Sequence, residues 1–234
     1  MERKIKIEAS LACANFKNLE KDIRQLEEAE IDFLHIDIMD GTFVPNFALD
    51  FSIMKIAAEL CNLPMSCHLM IEKPERYIEH VAKAGGNFVS IHIEATYHMQ
   101  RVLKQIRDCG MKAGVAMNPA TPLTNLSYIL NDLDFITIMT VNPGFSGQSL
   151  IPDTLKKIRD TKKMLQETNH ENIEIEVDGN VSFANIPEMI YDGATMLVGG
   201  TSSIFSRNYT ISEAVAEMKK LIEENSIPEL TKNH

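Results

Sequence analysis

Two histidines and two aspartates are spaced along this sequence in a way that suits metal chemistry. His35 and Asp37 lie two residues apart in HIDIMDGTFVPN, so on a β-strand they would point to the same face. His68 closes the apolar run in CHLM, and Asp178 closes another in EIEVDGN. Burying such groups is costly unless each finds a partner. If they converge, a bound Zn²⁺, Mn²⁺, Fe²⁺ or Co²⁺ would be that partner.

Each of these residues also has an ordinary structural explanation. A single histidine at a strand end is more often hydrogen-bonded in the core or at the surface. A single aspartate there often caps the next helix. The joint pattern of four is what favours a metal site. His92 also ends a predicted strand and stays unassigned, and the remaining histidines are interpreted as solvated: His80, His98, His170 and His234.

Two glycine-bearing segments predict phosphate binding. The turn in MTVNPGFSGQ consists of Gly144, Phe145, Ser146 and Gly147. Such a loop can direct several backbone N–H groups toward one anion. The second segment, VGGTSS, places Gly200 and Thr201 before a predicted short helical stretch near Ile204. The first segment alone would pass as a surface loop, but the second follows the eighth predicted strand, and the loops after strands seven and eight of a barrel often bind phosphate.

Three methionines follow strand ends next to the proposed metal ligands. They are Met39, Met70 and Met139. Methionine usually fills gaps in a core. Here an apolar floor made of these side chains would also keep water away from a reactive intermediate.

The scaffold that would bring these strand ends together is a (β/α)8 TIM barrel. Eight short apolar runs alternate with amphipathic helical stretches, which favours a barrel over an open doubly wound sheet. Strands are predicted at residues 5–11, 33–38, 65–70, 88–92, 112–117, 135–139, 173–177 and 195–198. Helices are predicted at residues 18–29, 52–60, 74–84, 98–109, 123–130, 152–167, 182–191 and 211–225. In such barrels the chemistry lies at the C-terminal strand ends.

Length and composition fit one α/β domain over residues 1–234, since no linker divides the chain. Apolar residues make up 44% of the sequence, enough for a sizeable core. A net charge of −10 with no basic face argues against nucleic-acid binding. Neither a signal peptide nor an apolar run of about 18 residues is evident, which predicts a cytoplasmic protein without membrane spans. The four cysteines have no C-x-x-C spacing and are interpreted as reduced, buried thiols.

Five segments resemble the ribulose-phosphate 3-epimerase family. They are HIDIMDGTFVPN, CHLMIEKPERYI, KAGVAMNPATPL, MTVNPGFSGQSLIP and EIEVDGN, and the resemblance spans about residues 5–205. It implies a barrel with one divalent metal, whose ligands would be His35, Asp37, His68 and Asp178. It makes Asp37 and Asp178 the acid/base pair and Ser10 a substrate contact beside the methionine floor. It assigns phosphate binding to residues 144–147 and to Gly179, Asn180, Gly200 and Thr201, and it suggests homo-oligomers.

The chemistry of such a family explains why these residue types are needed. Epimerising C3 of a 2-ketose phosphate requires removal of a proton next to a carbonyl, which a carboxylate in water cannot achieve. A metal beside the C2 oxygen and the C3 hydroxyl would stabilise the negative charge that develops. Inversion also needs a base on one face and an acid on the other, and hence two aspartates.

Two other classes of protein share parts of this pattern. Decarboxylases of the orotidine-phosphate type carry D-x-K-x-x-D after a strand, whereas this chain has Asp37-Ile38-Met39-Asp40 without the lysine. A barrel that only binds metal and phosphate is the non-enzymatic alternative. It would be expected to have lost some ligands or bases, and none is missing here.

Three departures from the family pattern bear on the substrate. EVDGN carries Asn180 where the family has glycine, GTSSIF is one residue longer than its counterpart, and FALDFSIM lacks the usual Gly-Pro. These features resemble the allulose-6-phosphate 3-epimerase branch. They predict interconversion of D-allulose 6-phosphate and D-fructose 6-phosphate, with D-ribulose 5-phosphate and D-xylulose 5-phosphate as the alternative pair.

Overall fold

Eight parallel strands close into a barrel in the computed structural model, which describes residues 4–226. The barrel strands are β1 (Lys6–Ser10), β2 (Phe33–Asp40), β4 (Met65–Met70), β5 (Gly86–His92), β6 (Lys112–Met117), β7 (Phe135–Met139), β8 (Glu174–Asp178) and β9 (Met196–Gly199). A two-residue strand, β3 (Phe47–Ala48), pairs antiparallel with the end of β2. The pairing of β1 with both β2 and β9 closes the ring. The predicted (β/α)8 barrel is confirmed.

Seven α-helices within residues 4–226 surround the barrel. They are α1 (Leu19–Glu28), α2 (Phe51–Leu60), α3 (Ile78–Lys83), α4 (Met99–Asp108), α5 (Asp153–Glu167), α6 (Ile186–Asp192) and α7 (Ile211–Ser226). Local capping fixes some of their ends. The Asp50 carboxylate, for example, accepts the backbone N–H groups of Ser52 and Ile53 at the start of α2.

Two predicted helical stretches are turns in the structure. The connection between β6 and β7, predicted as a helix over residues 123–130, contains two short 3₁₀ helices, Leu123–Leu126 and Leu130–Asp132. The Ser127 hydroxyl donates to the Thr124 carbonyl there, and such local bonds compete with an α-helix. The stretch near Ile204 is a run of turns as well. The loop after β9 therefore offers no helix N-terminus to an anion.

The barrel interior is built in layers along its axis. An aromatic layer at the N-terminal end contains Phe33, Phe88, Phe135 and Met196. Gly114 makes room for it, because a Cβ there would lie 2.3 Å from the Phe135 ring. Inward-facing polar residues on alternate strand positions form the layers above. The aromatic layer closes the bottom of the barrel, so the polar layers open only toward the C-terminal strand ends.

The last helix begins at the predicted residue, and the four cysteines differ in burial. Helix α7 confirms the predicted helix over residues 211–225, whereas the proposed short tail lies outside the described residues. Cys61 and Cys67 are buried, but Cys13 and Cys109 are only partly so. None of the helices formed by residues 4–226 combines the length and the apolar character needed to cross a lipid bilayer.

Candidate active site

The four candidate metal ligands converge at the C-terminal end of the barrel. Strand register places Asp37 beside His68, on neighbouring strands β2 and β4. The Nδ1 atom of His68 lies 3.5 Å from Asp37 Oδ1 and 3.3 Å from Asp178 Oδ2. The Nε2 atom of His35 lies 3.4 Å from Asp37 Oδ1 and 3.8 Å from Asp178 Oδ2. One ligand atom from each of the four residues lies within 4.8 Å of the others.

These residues fit a divalent metal ion. His35 Nε2 and His68 Nδ1 are buried and have no hydrogen-bond partner among the described residues, although both face the two carboxylates. Buried polar atoms without partners are uncommon in folded proteins. Two imidazole nitrogens and two carboxylate oxygens are a donor set used by Zn²⁺, Mn²⁺, Fe²⁺ and Co²⁺.

The electrostatics of this cluster favour charged side chains despite burial. Burial alone would raise the pKa of Asp37, but the neighbouring His35 and His68 hold it well below its ordinary value. Burial would likewise lower the pKa of His68, but the nearby carboxylates of Asp178 and Asp37 raise it to about 9. The protein without metal therefore offsets the two carboxylates with protons on the histidines.

A second polar layer lies directly below the cluster and includes two residues that the sequence analysis did not single out. Glu8 Oε2 lies 3.0 Å from His35 Nδ1. Glu176 accepts hydrogen bonds from Thr137 at 2.7 Å and from Ser66 at 3.3 Å. Burial and the charge of Glu8 raise the pKa of Glu176 well above its ordinary value. Burial thus favours the protonated form of Glu176, while the contact of Glu8 with His35 Nδ1 favours Nε2 as the ligand atom of His35.

Glu8→Gln and Glu176→Gln form a matched pair of substitutions with different expected outcomes. We expect Glu8→Gln to weaken metal binding by about 10–100-fold, because outer partners of ligand histidines contribute that much. Glu176→Gln replaces a carboxyl whose raised pKa favours the neutral form by a neutral amide, so affinity should stay within about twofold. Competition with a chromophoric chelator measures both. Equal losses in the two variants would contradict the different roles of Glu8 and Glu176.

Glu176 should also affect how the stability of the fold depends on pH. Because the pKa of Glu176 is raised in the folded protein, folding retains a proton that the unfolded chain releases, and stability is lost as pH rises above the ordinary glutamate range. We expect Glu176→Gln to lack that loss. Urea unfolding at several pH values would show its free energy of unfolding falling less steeply with pH than that of the wild type.

The predicted substrate contact and methionine floor lie around one cavity with the two aspartates. Ser10, Met39, Met70 and Met139 all line it, together with Asp37 and Asp178. The Ser10 hydroxyl donates to Asp37 Oδ2 at 2.6 Å. Ser10 is therefore placed to orient the carboxylate as well as to meet a substrate, and its substrate contact stays a prediction.

The predicted phosphate loops border the same cavity. It is lined by Gly144, Phe145, Ser146, Gly147, Gly179, Asn180, Gly200 and Thr201. Gly179 has a φ of 112°, and a Cβ there would lie 2.6 Å from a Val141 methyl group, so glycine is required. Three loops that follow β7, β8 and β9 thus meet on one side of the cavity.

Asn180 connects two of these loops. Its amide donates to the Gln148 carbonyl at 2.6 Å, and the Gln148 side chain donates to the Phe145 carbonyl at 2.9 Å. Asn185 donates to the Asn180 side-chain oxygen at 3.0 Å. The Asn180 side chain is therefore occupied in bracing the loops after β7 and β8.

His92, which had no assigned role, contacts a candidate metal ligand. Its Nε2 lies 2.8 Å from His68 Nε2, and its Nδ1 lies 3.2 Å from Glu94 Oε2. Burial and the nearby His68 lower the pKa of His92 to about 4, so it is neutral. Burial would raise the pKa of Glu94, but hydrogen bonds with His92 and Thr121 lower it to about 2.

The other histidines lie away from the cluster. His80 and His98 are exposed, as expected of solvated residues, and His80 stacks on Phe51. His170 is half-buried, with its Nε2 3.1 Å from the Asn131 side-chain oxygen. His234 lies outside the described residues.

Comparison with known proteins points to one family. A family model described as the ribulose-phosphate 3 epimerase family matches residues 6–205. A ribulose-phosphate 3-epimerase of Bacillus subtilis is 42% identical over 198 residues, which is 85% of this chain and 91% of the relative. One from Methanocaldococcus jannaschii is 39% identical over 216 residues, covering 92% and 90%. A chloroplastic ribulose-5-phosphate-3-epimerase of Arabidopsis thaliana is 41% identical over 215 residues, covering 91% and 75%.

Solved structures with the same fold are more distant in sequence. KGPDC from Streptococcus mutans has a TM-score of 0.70 at 12% identity, covering 95% of this chain and 99% of that chain. A mutant tryptophan synthase alpha-subunit from Pyrococcus furiosus has a TM-score of 0.65 at 14% identity, covering 96% and 98%. At such identities the likeness establishes the barrel fold alone.

Proposed function

The chain belongs to the ribulose-phosphate 3-epimerase family, and on that basis we propose that it interconverts D-ribulose 5-phosphate and D-xylulose 5-phosphate by inverting C3. It is an isomerase that acts on a carbohydrate phosphate. The observation that carries the choice of substrate is the agreement among curated relatives. Those at 42% and 41% identity are both ribulose-phosphate 3-epimerases and are matched over 91% and 95% of their lengths.

Asp37 and Asp178 are proposed as the two acid/base groups. They sit on β2 and β8, which are separated by β1 and β9 around the barrel, so they approach the cavity from different sides. Inversion of a carbon centre needs this arrangement, since one carboxylate must remove the proton from one face while the other delivers a proton to the opposite face. The Ser10 hydroxyl orients the Asp37 carboxylate.

A divalent ion is proposed as the cofactor of this cluster. His35, Asp37, His68 and Asp178 would hold it, and the donor set is compatible with Zn²⁺, Mn²⁺, Fe²⁺ or Co²⁺. When bound, it would supply positive charge that stabilises the negative charge developing on the substrate oxygens. The buried methionines Met70 and Met139 would keep water from the reacting carbon.

Phosphate is proposed to bind where the loops after β7, β8 and β9 meet. These loops bring glycines with positive φ, Gly144, Gly147 and Gly179, to the cavity. Phosphate held at that side fixes the sugar chain, so that C3 lies between the two aspartates. Binding energy from the phosphate is then used to position the reacting centre.

Comparison with the curated relatives favours D-ribulose 5-phosphate and D-xylulose 5-phosphate as the substrate pair. The three departures from the family pattern had instead predicted D-allulose 6-phosphate and D-fructose 6-phosphate. The structure also gives Asn180 a local explanation, because its side chain bonds Gln148 and Asn185 within the loops. An asparagine at this position, where the family has glycine, can therefore be explained without an adaptation of the pocket to a longer substrate. We accordingly take D-ribulose 5-phosphate as the proposed substrate.

The test is to measure kcat/KM for D-ribulose 5-phosphate and D-allulose 6-phosphate on the same metal-loaded preparation. The hexulose has one more carbon between C3 and phosphate, and a misplacement on the order of 1 Å can cost about 10²-fold. We expect the value for D-ribulose 5-phosphate to be larger by about tenfold or more. A larger value for D-allulose 6-phosphate would overturn this substrate and leave the epimerase chemistry in place.

Asn180→Gly provides the control for the loop explanation. If Asn180 acts as a brace, its loss should raise KM for both sugars by a similar factor and preserve their ratio. A ratio that moves toward the pentulose by more than about tenfold would instead show that Asn180 selects for the longer sugar.

Assembly into homo-oligomers is a further proposal and rests on the family resemblance. Light scattering of the purified protein would give the number of chains per particle.

A further inference from the structure

We propose that Glu94 determines which nitrogen of His68 is free to bind the metal, and that it does so through His92. The three residues form a hydrogen-bonded chain from the barrel mouth to the metal cluster, called the relay below. The proposal rests on the metal site proposed above. In it Glu94 and His92 are positioning residues that act through His68.

Glu94 is fixed at the outer end of the relay. It lies two residues beyond the end of β5, and its side chain is 26% exposed. One carboxylate oxygen accepts the backbone N–H of Asn118 at 3.1 Å and the hydroxyl of Thr121. The other oxygen faces His92 Nδ1 at 3.2 Å. The loop after β6 therefore holds the carboxylate toward the imidazole.

The direction of each hydrogen bond follows from donor and acceptor counting. An ionised carboxylate only accepts, so His92 Nδ1 must carry the proton. The contact between His92 Nε2 and His68 Nε2 needs one donor and one acceptor, and with Glu94 holding the proton of His92 on Nδ1, His92 Nε2 is the acceptor. His68 Nε2, 2.8 Å away, must then be the donor. His68 Nδ1 is left with its lone pair facing Asp37 and Asp178.

The opposite arrangement would block the metal site. If His92 donated from Nε2, the proton of a neutral His68 would sit on Nδ1 and point into the cluster. Packing keeps the two rings in this orientation. His92 is buried, stacks on His68 with ring centroids 4.9 Å apart, and contacts the Phe43 ring with a centroid distance of 4.6 Å. Glu8 acts on His35 in the equivalent way and without an intermediate, through its contact with His35 Nδ1. Each ligand histidine is thus connected to a carboxylate, His68 through one intervening imidazole.

The first measurement is ¹⁵N NMR of the imidazoles in the full-length, Zn²⁺-loaded protein. We expect His92 to be neutral with its proton on Nδ1 and a bare Nε2, and His68 to carry its proton on Nε2. Zn²⁺ bound to His68 Nδ1 would favour the same tautomer, so this spectrum tests the direction of the hydrogen bonds, and the affinities of the variants test the role of Glu94. A proton on His92 Nε2 would overturn the proposal.

The second measurement is the Zn²⁺ affinity of variants, by competition with a chromophoric chelator. His92→Phe keeps the ring and its packing but removes the acceptor, and Glu94→Gln removes the carboxylate charge. We expect each to weaken Zn²⁺ binding by about 10–100-fold, as for other outer partners of ligand histidines. Glu72→Gln is the control, since it removes an equal charge from an exposed side chain just beyond β4 and should stay within about twofold.

The outcomes separate this proposal from the proposed function. Wild-type affinity in both Glu94→Gln and His92→Phe would overturn the relay. If His92→Phe does not fold, Glu94→Gln and the His92 tautomer decide the matter. If the wild-type protein binds no Zn²⁺, the proposed metal site fails, whereas the His92 tautomer, compared between the metal-free wild type and Glu94→Gln at alkaline pH, still supports or overturns the relay.

Discussion

Replacing Asp37 or Asp178 with asparagine is expected to lower the rate of epimerisation by at least about 10²–10⁴-fold, the usual contribution of a general acid or base. Asparagine matches aspartate in shape but cannot exchange a proton with C3. Each aspartate is also a candidate metal ligand, so the loss should exceed that of a base alone. Turnover in a coupled assay, with metal content measured on the same samples, would establish the effect.

The barrel is expected to stay folded in both variants. Removing one carboxylate from a buried ion pair is often strongly destabilising, because it leaves an unpaired charge. Here the positive partners are His35 and His68, which can become neutral by releasing a proton. Circular dichroism and the midpoint of thermal unfolding would confirm that lost activity is not lost structure.

Asp50→Asn is the matched control for these substitutions. Asp50 caps α2 at the surface, and asparagine is about as good a cap as aspartate, so both activity and stability should be retained. Near-wild-type turnover in Asp37→Asn or Asp178→Asn would contradict the two-base assignment. Exchange of the C3 proton in heavy water tests the same chemistry independently, since a wild-type product without deuterium at C3 would contradict proton removal.

The four candidate ligands could be predicted because each of them lies where a local rule applies. Side chains alternate along a strand, so His35 and Asp37 had to share a face. The ends of parallel strands meet at one end of a barrel, which placed His68 and Asp178 nearby. These rules need only the sequence around each residue, and the structure brings the four side chains together as they predict.

The partners of these ligands could not be predicted in the same way. Glu8 matters because His35 lies 3.0 Å away on the neighbouring strand β2, and Glu94 matters because the loop after β6 holds its carboxylate 3.2 Å from His92. Sequence spacing within one strand does not report such distances. A signal was present in retrospect, because Glu8 and Ser10 share a face, as do Glu176 and Asp178.

The helix predicted between β6 and β7 shows where apolar spacing alone misleads. Leu123, Leu126 and Leu130 recur at helical intervals, but the segment forms 3₁₀ turns. The preceding loop is held by Lys157, whose ammonium donates to the Asn118 carbonyl at 2.7 Å. Asn118 also bonds Glu94, so this connection serves to fix the outer end of the relay instead of continuing the helical layer.

Removal of the metal by a chelator is expected to abolish turnover, and return of a divalent ion to restore it. A proton next to a ketone is too weakly acidic for an aspartate to remove without strong stabilisation of the resulting negative charge. In the metal-free protein the positive charge of the cluster resides on protonated histidines instead. Activity and bound metal should be measured on the same samples before chelation, after dialysis and after metal return. Full turnover in demonstrably metal-free protein would contradict the proposal.

The protons on His35 and His68 should make metal binding depend on pH in a predictable direction. The pKa of His68 is raised to about 9 in the metal-free protein, and that of His35 also lies well above its ordinary value. Below those values the metal must displace protons from the two imidazoles, so its apparent affinity should increase with pH through the neutral range and level off once His68 and His35 have titrated. Chelator competition from about pH 6 to about pH 9.5 measures this directly, and a flat profile would show that the histidines are not protonated in the metal-free state. Because the proposed acid/base pair and the metal share Asp37 and Asp178, a steep profile would also mean that activity at low pH is limited by metal occupancy before either aspartate is protonated.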